Sequence, residues 1–163
     1  INEMENLLKK ETFQRVQECI NKFDINLKIL ILNNSARTAK EASVVLKCDV
    51  GAIVKSLLFK VNSTFLICLL AGDKTCSLKK LKNILNEKNI QMANANEVKI
   101  NTGFSIGGVP PVAHIKKLKI IIDNSLSRFR NVFAAAGHPN CIFKIKYSQL
   151  VNLTKGSERE ISE

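Results

Sequence analysis

Ile53-Val54-Lys55-Ser56-Leu57-Leu58-Phe59-Lys60-Val61-Asn62-Ser63-Thr64-Phe65-Leu66-Ile67-Cys68-Leu69-Leu70-Ala71 is the stretch that decides the fold. Two apolar runs, Ile53 to Val61 and Thr64 to Ala71, are parted by the polar pair Asn62-Ser63, and this pattern reads as a β-hairpin. Alternation along the first run puts Ile53, Lys55, Leu57 and Phe59 on one face. Lys55 is the odd member of that row. Its ammonium either reaches solvent at a strand end or points into a cavity that offers it an anion, because an unpaired buried ammonium is costly.

Towards the N-terminus, Phe13, Val16, Ile20 and Phe23 recur at spacings of three and four, which predicts an amphipathic helix over 4–23 that Asp24 and Asn26 end. Leu27 to Leu32 has the length of a buried strand. After the polar break Asn33-Asn34-Ser35, Thr38 and Glu41 stand three apart as in a capping box, so a second helix is expected to run to Leu46. Cys48-Asp49-Val50-Gly51 turns the chain into the hairpin.

Beyond the hairpin, Gly72-Asp73-Lys74 closes the strand, and Ser77 caps a basic helix with Leu78, Leu81 and Leu85 on one face and Lys79, Lys80 and Lys82 on the other. Asn94 to Thr102 reads as a short helix ended by Gly103. Leu118 to Ile122, Val132 to Ala136 and Cys141 to Ile145 read as strands, with a turn or short helix at Asp123 to Phe129 and a sharp turn at Gly137-His138-Pro139-Asn140. Tyr147 to Leu153 closes as a helix. The prediction is a single α+β domain around a mixed sheet over 1–153, with 154–163 as a frayed polar tail or the start of a linker.

Thr102 to Lys117 carries two adjacent glycines, two prolines and His114, with no charge before Lys116. Gly107 and Gly108 allow positive φ and close approach to a ligand, whereas Pro110 and Pro111 stiffen the second half of the loop. Such a loop is either a tight turn between elements or a cradle that aims backbone N–H groups at an ester oxygen.

Composition narrows the chemistry. With 163 residues, 45% apolar and 24% charged, the chain has the size and balance of one globular domain. Its apolar runs fall short of the roughly 20 residues that span a bilayer, so a soluble, cytoplasmic protein is expected. Cys19, Cys48, Cys68, Cys76 and Cys141 are scattered, and with His114 and His138 they give no set with metal-ligand spacing. Free thiols, no metal and no cofactor are expected. The net charge of +11 favours a polyanionic partner, nucleic acid rather than membrane. The phosphate-gripping, dinucleotide, serine-elbow and paired-carboxylate signatures are missing, and Ser105 has no evident partners.

Val54-Lys55-Ser56-Leu57-Leu58-Phe59, Gly72-Asp73, Gly103-Phe104-Ser105-Ile106-Gly107-Gly108-Val109-Pro110-Pro111 and Ala135-Ala136-Gly137-His138-Pro139-Asn140, in that order, resemble the motif series of the YbaK family. Ser35 to Ala42 also matches, and the likeness spans about 10–153. The family comprises free-standing deacylases and editing domains related to bacterial prolyl-tRNA synthetase. The resemblance implies a mixed, partly barrel-like sheet with flanking helices. It also implies hydrolysis of the ester joining a wrong amino acid to the terminal adenosine of a tRNA, here expected to be a small amino acid on tRNA-Pro.

By the same resemblance, Lys55 matches the family's essential lysine and is expected to point inward. Gly107 to Pro111, with Ile106 and Val109, matches the loop that holds the aminoacyl-adenosine end. Gly137, His138, Pro139 and Asn140 match a turn bordering the amino-acid pocket in one branch of the family, and His138 is expected to be a wall of it rather than a base. Thr38, Ser56 and Asp73 are expected near the pocket, although a capping role explains Thr38 without function. His114 is expected to be structural or solvent-facing. In the implied mechanism, N–H groups at Gly107 and Gly108 hold the oxyanion, Lys55 adds positive charge, and the attacker is water or a substrate hydroxyl or thiol. Lys79, Lys80, Lys82, Lys116, Lys117 and Lys119 are the expected RNA surface, with affinity falling as salt rises. The alternatives are a non-catalytic module that binds tRNA or an aminoacyl-tRNA synthetase, and an editing or regulatory domain cut from a larger synthetase, which the start at Ile1 allows.

Overall fold

A computed structural model of the chain describes residues 10–33 and 36–163. The first turns of the helix expected over 4–23 and the Asn34-Ser35 part of the polar break lie outside the described residues. In order, the elements are α1 (Glu11–Phe23), β1 (Ile29–Ile31), α2 (Ala39–Leu46), β2 (Ile53–Val61), β3 (Thr64–Ala71), α3 (Leu78–Leu85), β4 (Ile90–Met92), α4 (Ala95–Thr102), β5 (Lys119–Asp123), β6 (Asn131–Ala135), β7 (Cys141–Lys146), α5 (Tyr147–Thr154) and β8 (Ser157–Arg159). Short 3-10 turns cover Val50–Ala52 and Asn124–Arg128.

Local signals act where the sequence puts them. Thr38 Oγ1 accepts from the Glu41 N–H at 3.1 Å and starts α2, and Ser77 Oγ accepts from the Lys80 N–H at 3.2 Å and starts α3. Asn94 and Glu97 form a reciprocal capping box on α4, which Gly103 ends in the left-handed region at φ 83°. β4 is a strand that the pattern does not announce. It is three residues long and only Ile90 is buried, too little for a period of two to register.

The hairpin organises one eight-stranded mixed sheet in the order β1-β7-β6-β2-β3-β5-β8, with β4 joining β2 off that path. β2 and β3 pair antiparallel from Val54↔Ala71 to Val61↔Thr64. β2 runs parallel to β6, and β3 parallel to β5. Both faces are covered. Val54, Leu58, Ile67 and Leu69 pack with α1, α4 and α5 on one side. Phe59, Cys68 and Leu70 pack with Leu81 of α3 and with Ile161 on the other. The expected α+β fold around a mixed sheet is the observed one.

The last ten residues correct the expectation of a frayed tail. β8 pairs parallel with β5, and Ile161 is fully buried. The Ile161 N–H donates to Asp123 Oδ1 at 2.8 Å, and its carbonyl accepts from Ser77 N at 2.7 Å. Asp123 is itself fully buried, and hydrogen bonds from Ser125 and from the Ile161 N–H offset its desolvation and hold its pKa below the usual carboxylate range. One apolar anchor inside a polar stretch is invisible to composition, yet it finds the open edge of β5 and a buried acceptor.

Candidate functional site

The site begins as a gap in the ladder. Along its β3 edge, β2 is paired from Val54 to Val61. On its other edge β6 pairs only Ile53 and Val54, and β4 pairs only Phe59, Lys60 and Val61. Between them, among the described residues, Lys55 to Leu58 face no strand, and the Ala93 N–H reaches Leu58 O at 3.0 Å. A cavity of about 360 Å³ opens at this break. Arg37, Thr38, Ala39 and Ala42 wall it from the α2 side, and Val98, Ile106, Gly107 and Val109 wall it from the other, with Ser56 on β2 between.

Lys55 lies in the wall of this cavity. Its Nζ donates to Lys74 O in the turn after β3, so the ammonium is half-buried and partnered rather than free in solvent. Burial pushes its pKa below the usual lysine range, against the opposing pull of Asp73 and Cys76. Asp73, expected at the pocket, is not among the cavity's wall residues. The Arg128 guanidinium grips its carboxylate in a fork at 2.7 and 2.9 Å and holds its pKa below the usual range.

The paired glycines divide their work. Gly107, at φ 92°, lies in the cavity wall, and among the described residues no carbonyl takes its N–H. Gly108 corrects the expectation that both N–H groups face an oxyanion: its N–H is spent on Ser105 O at 3.0 Å. What Gly108 provides is close approach. A Cβ there would stand 2.9 Å from the backbone N and Cα of His138, and its carbonyl accepts from Gly137 N at 2.9 Å. Gly137, His138, Pro139 and Asn140 therefore back the loop and are not cavity walls, contrary to expectation. The His138 Nδ1 accepts from Asn140 N at 3.1 Å, which leaves that nitrogen without a proton.

Pro110 and Pro111 are buried behind the loop and do not line the cavity. His114, expected to be structural or solvent-facing, is half-buried and bonded to the loop's own backbone. Its Nε2 lies 2.8 Å from Pro110 O, which fixes the proton on that nitrogen, and burial lowers its pKa. Arg15 donates to Ala113 O and stacks 5.0 Å from the Phe104 ring centroid, tying α1 to the far end of the loop. The loop is thus held from behind by one cation and one imidazole.

None of the six lysines expected to meet RNA lines the cavity. Lys80 is engaged, with Nζ on Ser162 O at 2.6 Å and on Glu160 at 3.3 Å. Lys79, Lys116, Lys117 and Lys119 are exposed elsewhere. Besides Lys55, Arg37 is a cation in the cavity wall, which sequence reasoning passed over although it adjoins Thr38 in a matched stretch. Met92, Ala135 and Ile142 also reach the wall, and no local pattern could have joined residues so far apart in the chain.

A cavity at a broken strand edge, with a half-buried lysine and a glycine loop among its walls, is the candidate site of this α+β domain. The model of the aminoacyl-tRNA editing domain matches residues 33–153, and the chain belongs to that family. It is 35% identical over 102 residues to a proline–tRNA ligase of Kosmotoga olearia, covering 63% of this chain and 18% of that protein. It is 26% identical over 159 residues to that of Caldicellulosiruptor bescii, covering 92% of this chain and 27% of that protein. A crystal structure described as a candidate trans-editing enzyme for prolyl tRNA synthetase superposes with a TM-score of 0.89 at 34% identity, covering 94% of this chain and 98% of that one. The chain spans about a fifth to a quarter of the length of these curated relatives. Among the described residues no helix is long and apolar enough to cross a membrane.

Proposed function

We propose that this domain hydrolyses the ester of mischarged tRNA, releasing a small wrong amino acid, with tRNA-Pro as the carrier that the related ligases suggest. The observation that carries the reading is the shared cavity. Lys55 and Gly107 both line one space of about 360 Å³ at the break in β2, so a charged ester end can meet a cation and a backbone cradle together. Ala36, Ala39, Ala42 and Ala135 give that space an apolar wall, which suits a small side chain and penalises an unpaired polar one.

In this mechanism Lys55 supplies positive charge to the ester or its neighbouring phosphate, and the Gly107 N–H faces the developing oxyanion. The attacker is water or a hydroxyl or thiol of the substrate itself. Arg37, exposed beside Thr38 at the cavity wall, meets the RNA backbone as it enters. Its charge is not needed in the hydrolytic step.

Alanyl, cysteinyl, seryl and threonyl esters of tRNA-Pro, offered to the purified chain, test the reading. Release of at least one small amino acid is expected, with Lys55→Ala slower by about a hundred-fold or more, as for loss of one transition-state charge partner. Retention of tRNA without release of any amino acid would favour a binding module instead. Wild-type rates in Lys55→Ala would remove the lysine from the chemistry.

A further inference from the structure

The gap in β2 exposes one residue's main chain in a particular way. Asn62 N donates to Asn89 O at 3.0 Å, and Leu58 O accepts from Ala93 N, so the even-numbered residues of β2 turn their N–H and C=O groups away from β3. Backbone direction alternates strictly along a strand. Ser56, opposite Leu69 in the β3 register, therefore aims both its N–H and its C=O into the break between β6 and β4. Among the described residues no strand pairs with it on that edge. Its side chain repeats the pattern: Ser56 Oγ is the buried side-chain polar atom that, among the described residues, has no hydrogen-bond partner. Buried hydroxyls and strand main-chain groups are almost always paired, and among the described residues Ser56, at a cavity wall, has a buried hydroxyl and two main-chain groups without a protein partner.

An α-amino ester has the polar layout of one strand residue: a nitrogen donor and a carbonyl acceptor on either side of a single Cα. Laid antiparallel against Ser56, it supplies the missing rung. We propose that Ser56 is the docking point of the aminoacyl group, its C=O accepting from the substrate's α-ammonium and its N–H donating to the ester carbonyl oxygen. This rests on the deacylase reading above and gives that site its substrate class, an ester with a free α-amino group. It also supplies the second oxyanion donor that Gly108 does not provide. The rung lies between the two faces from which Lys55 and Gly107 approach, and the side chain of the bound amino acid then projects onto the alanine-rich wall. Selection acts on the α-ammonium first and on side-chain size second.

Two measurements on the full chain test this. The first compares hydrolysis of alanyl-tRNA with that of propanoyl-tRNA, which lacks only the amino group, each rate being divided by that of the uncatalysed ester because the α-ammonium also activates the carbonyl; so corrected, the propanoyl ester is expected to be slower in kcat/KM by about ten- to a hundred-fold, the worth of a hydrogen bond to a charged group. The second follows backbone amide resonances while 3′-(alanylamino)-3′-deoxyadenosine, whose amide link resists hydrolysis, is added; the Ser56 amide is expected to move downfield, and the 3′-propanoylamino analogue to bind at least ten-fold more weakly. Equal hydrolysis of the two esters overturns the docking while leaving deacylation intact. A shifted Ser56 amide with no hydrolysis of either ester supports the docking and removes the deacylase reading. A Ser56 amide that the alanylamino analogue leaves unmoved overturns the docking outright.

Discussion

The two edges of β2 contrast sharply. Along β3 the strand is paired rung for rung, and β3, β5 and β8 continue the sheet to a segment locked by Ile161 and Asp123. Along the opposite edge, two rungs with β6 and three with β4 leave a gap, and every cavity-wall residue with a charge or a bare N–H lies at that gap or beside it. One strand thus anchors the fold with one edge and, in the function proposed above, offers the other to a ligand. Unpaired backbone in a largely buried strand costs stability, so a break of this kind is retained where something fills it.

The sealed edge should carry the larger stability effect. Ile161→Ala, measured by denaturant unfolding, is expected to cost about 2 to 4 kcal/mol, as for other fully buried isoleucines truncated to alanine, while the rate per folded molecule stays unchanged. A loss below about 1 kcal/mol would mean that β8 is an ornament of the fold, and the contrast between the edges would fail.

Gly108→Ala is the intermediate case, and it acts on the open side. The added Cβ meets the backbone of His138 at 2.9 Å, and main chain cannot yield as a flexible side chain would. A cost of about 1 to 3 kcal/mol is expected, together with a fall in deacylation larger than the stability loss explains, because Gly107 must move with its neighbour. Unimpaired turnover in this variant would separate the loop from the cavity.

Ser56→Ala gives the smallest and most telling shift, since it runs the other way. Removing a buried hydroxyl that has no partner among the described residues should raise stability by about 1 kcal/mol. Replacement of a hydroxyl that holds the fold together would lower it. Thermal unfolding of Ser56→Ala beside Ser56→Thr reads the sign, and a destabilised alanine variant would show that the hydroxyl is structural.

The sequence was legible wherever one short-range rule decides the outcome. The hairpin at Asn62-Ser63, the caps at Thr38 and Ser77, and the short helix from Asn94 with its stop at Gly103 rest on local hydrogen-bond or φ requirements, and each stands where the residues require. The motif series was legible too, because the family's residues are kept in order. Lys55 was recognisable as an anomaly, a cation in an apolar row, although its carbonyl partner at Lys74 was not.

Pairing across the fold was decided only by tertiary structure. Asp73 is claimed by Arg128, fifty-five residues later, Lys80 by the C-terminal segment, and the Gly108 N–H by a turn inside its own loop; none of these choices leaves a mark in composition or periodicity. The sequence by itself determined most of the elements and the family, since caps, alternation and motifs are properties of neighbours along the chain, whereas the three-residue strands β4 and β8 came only with their pairing partners. The tertiary structure decided which polar groups stay unspent, because that depends on which donors and acceptors distant segments bring within 3 Å, and among the described residues Ser56, on the four-residue break in β2, keeps its own unspent.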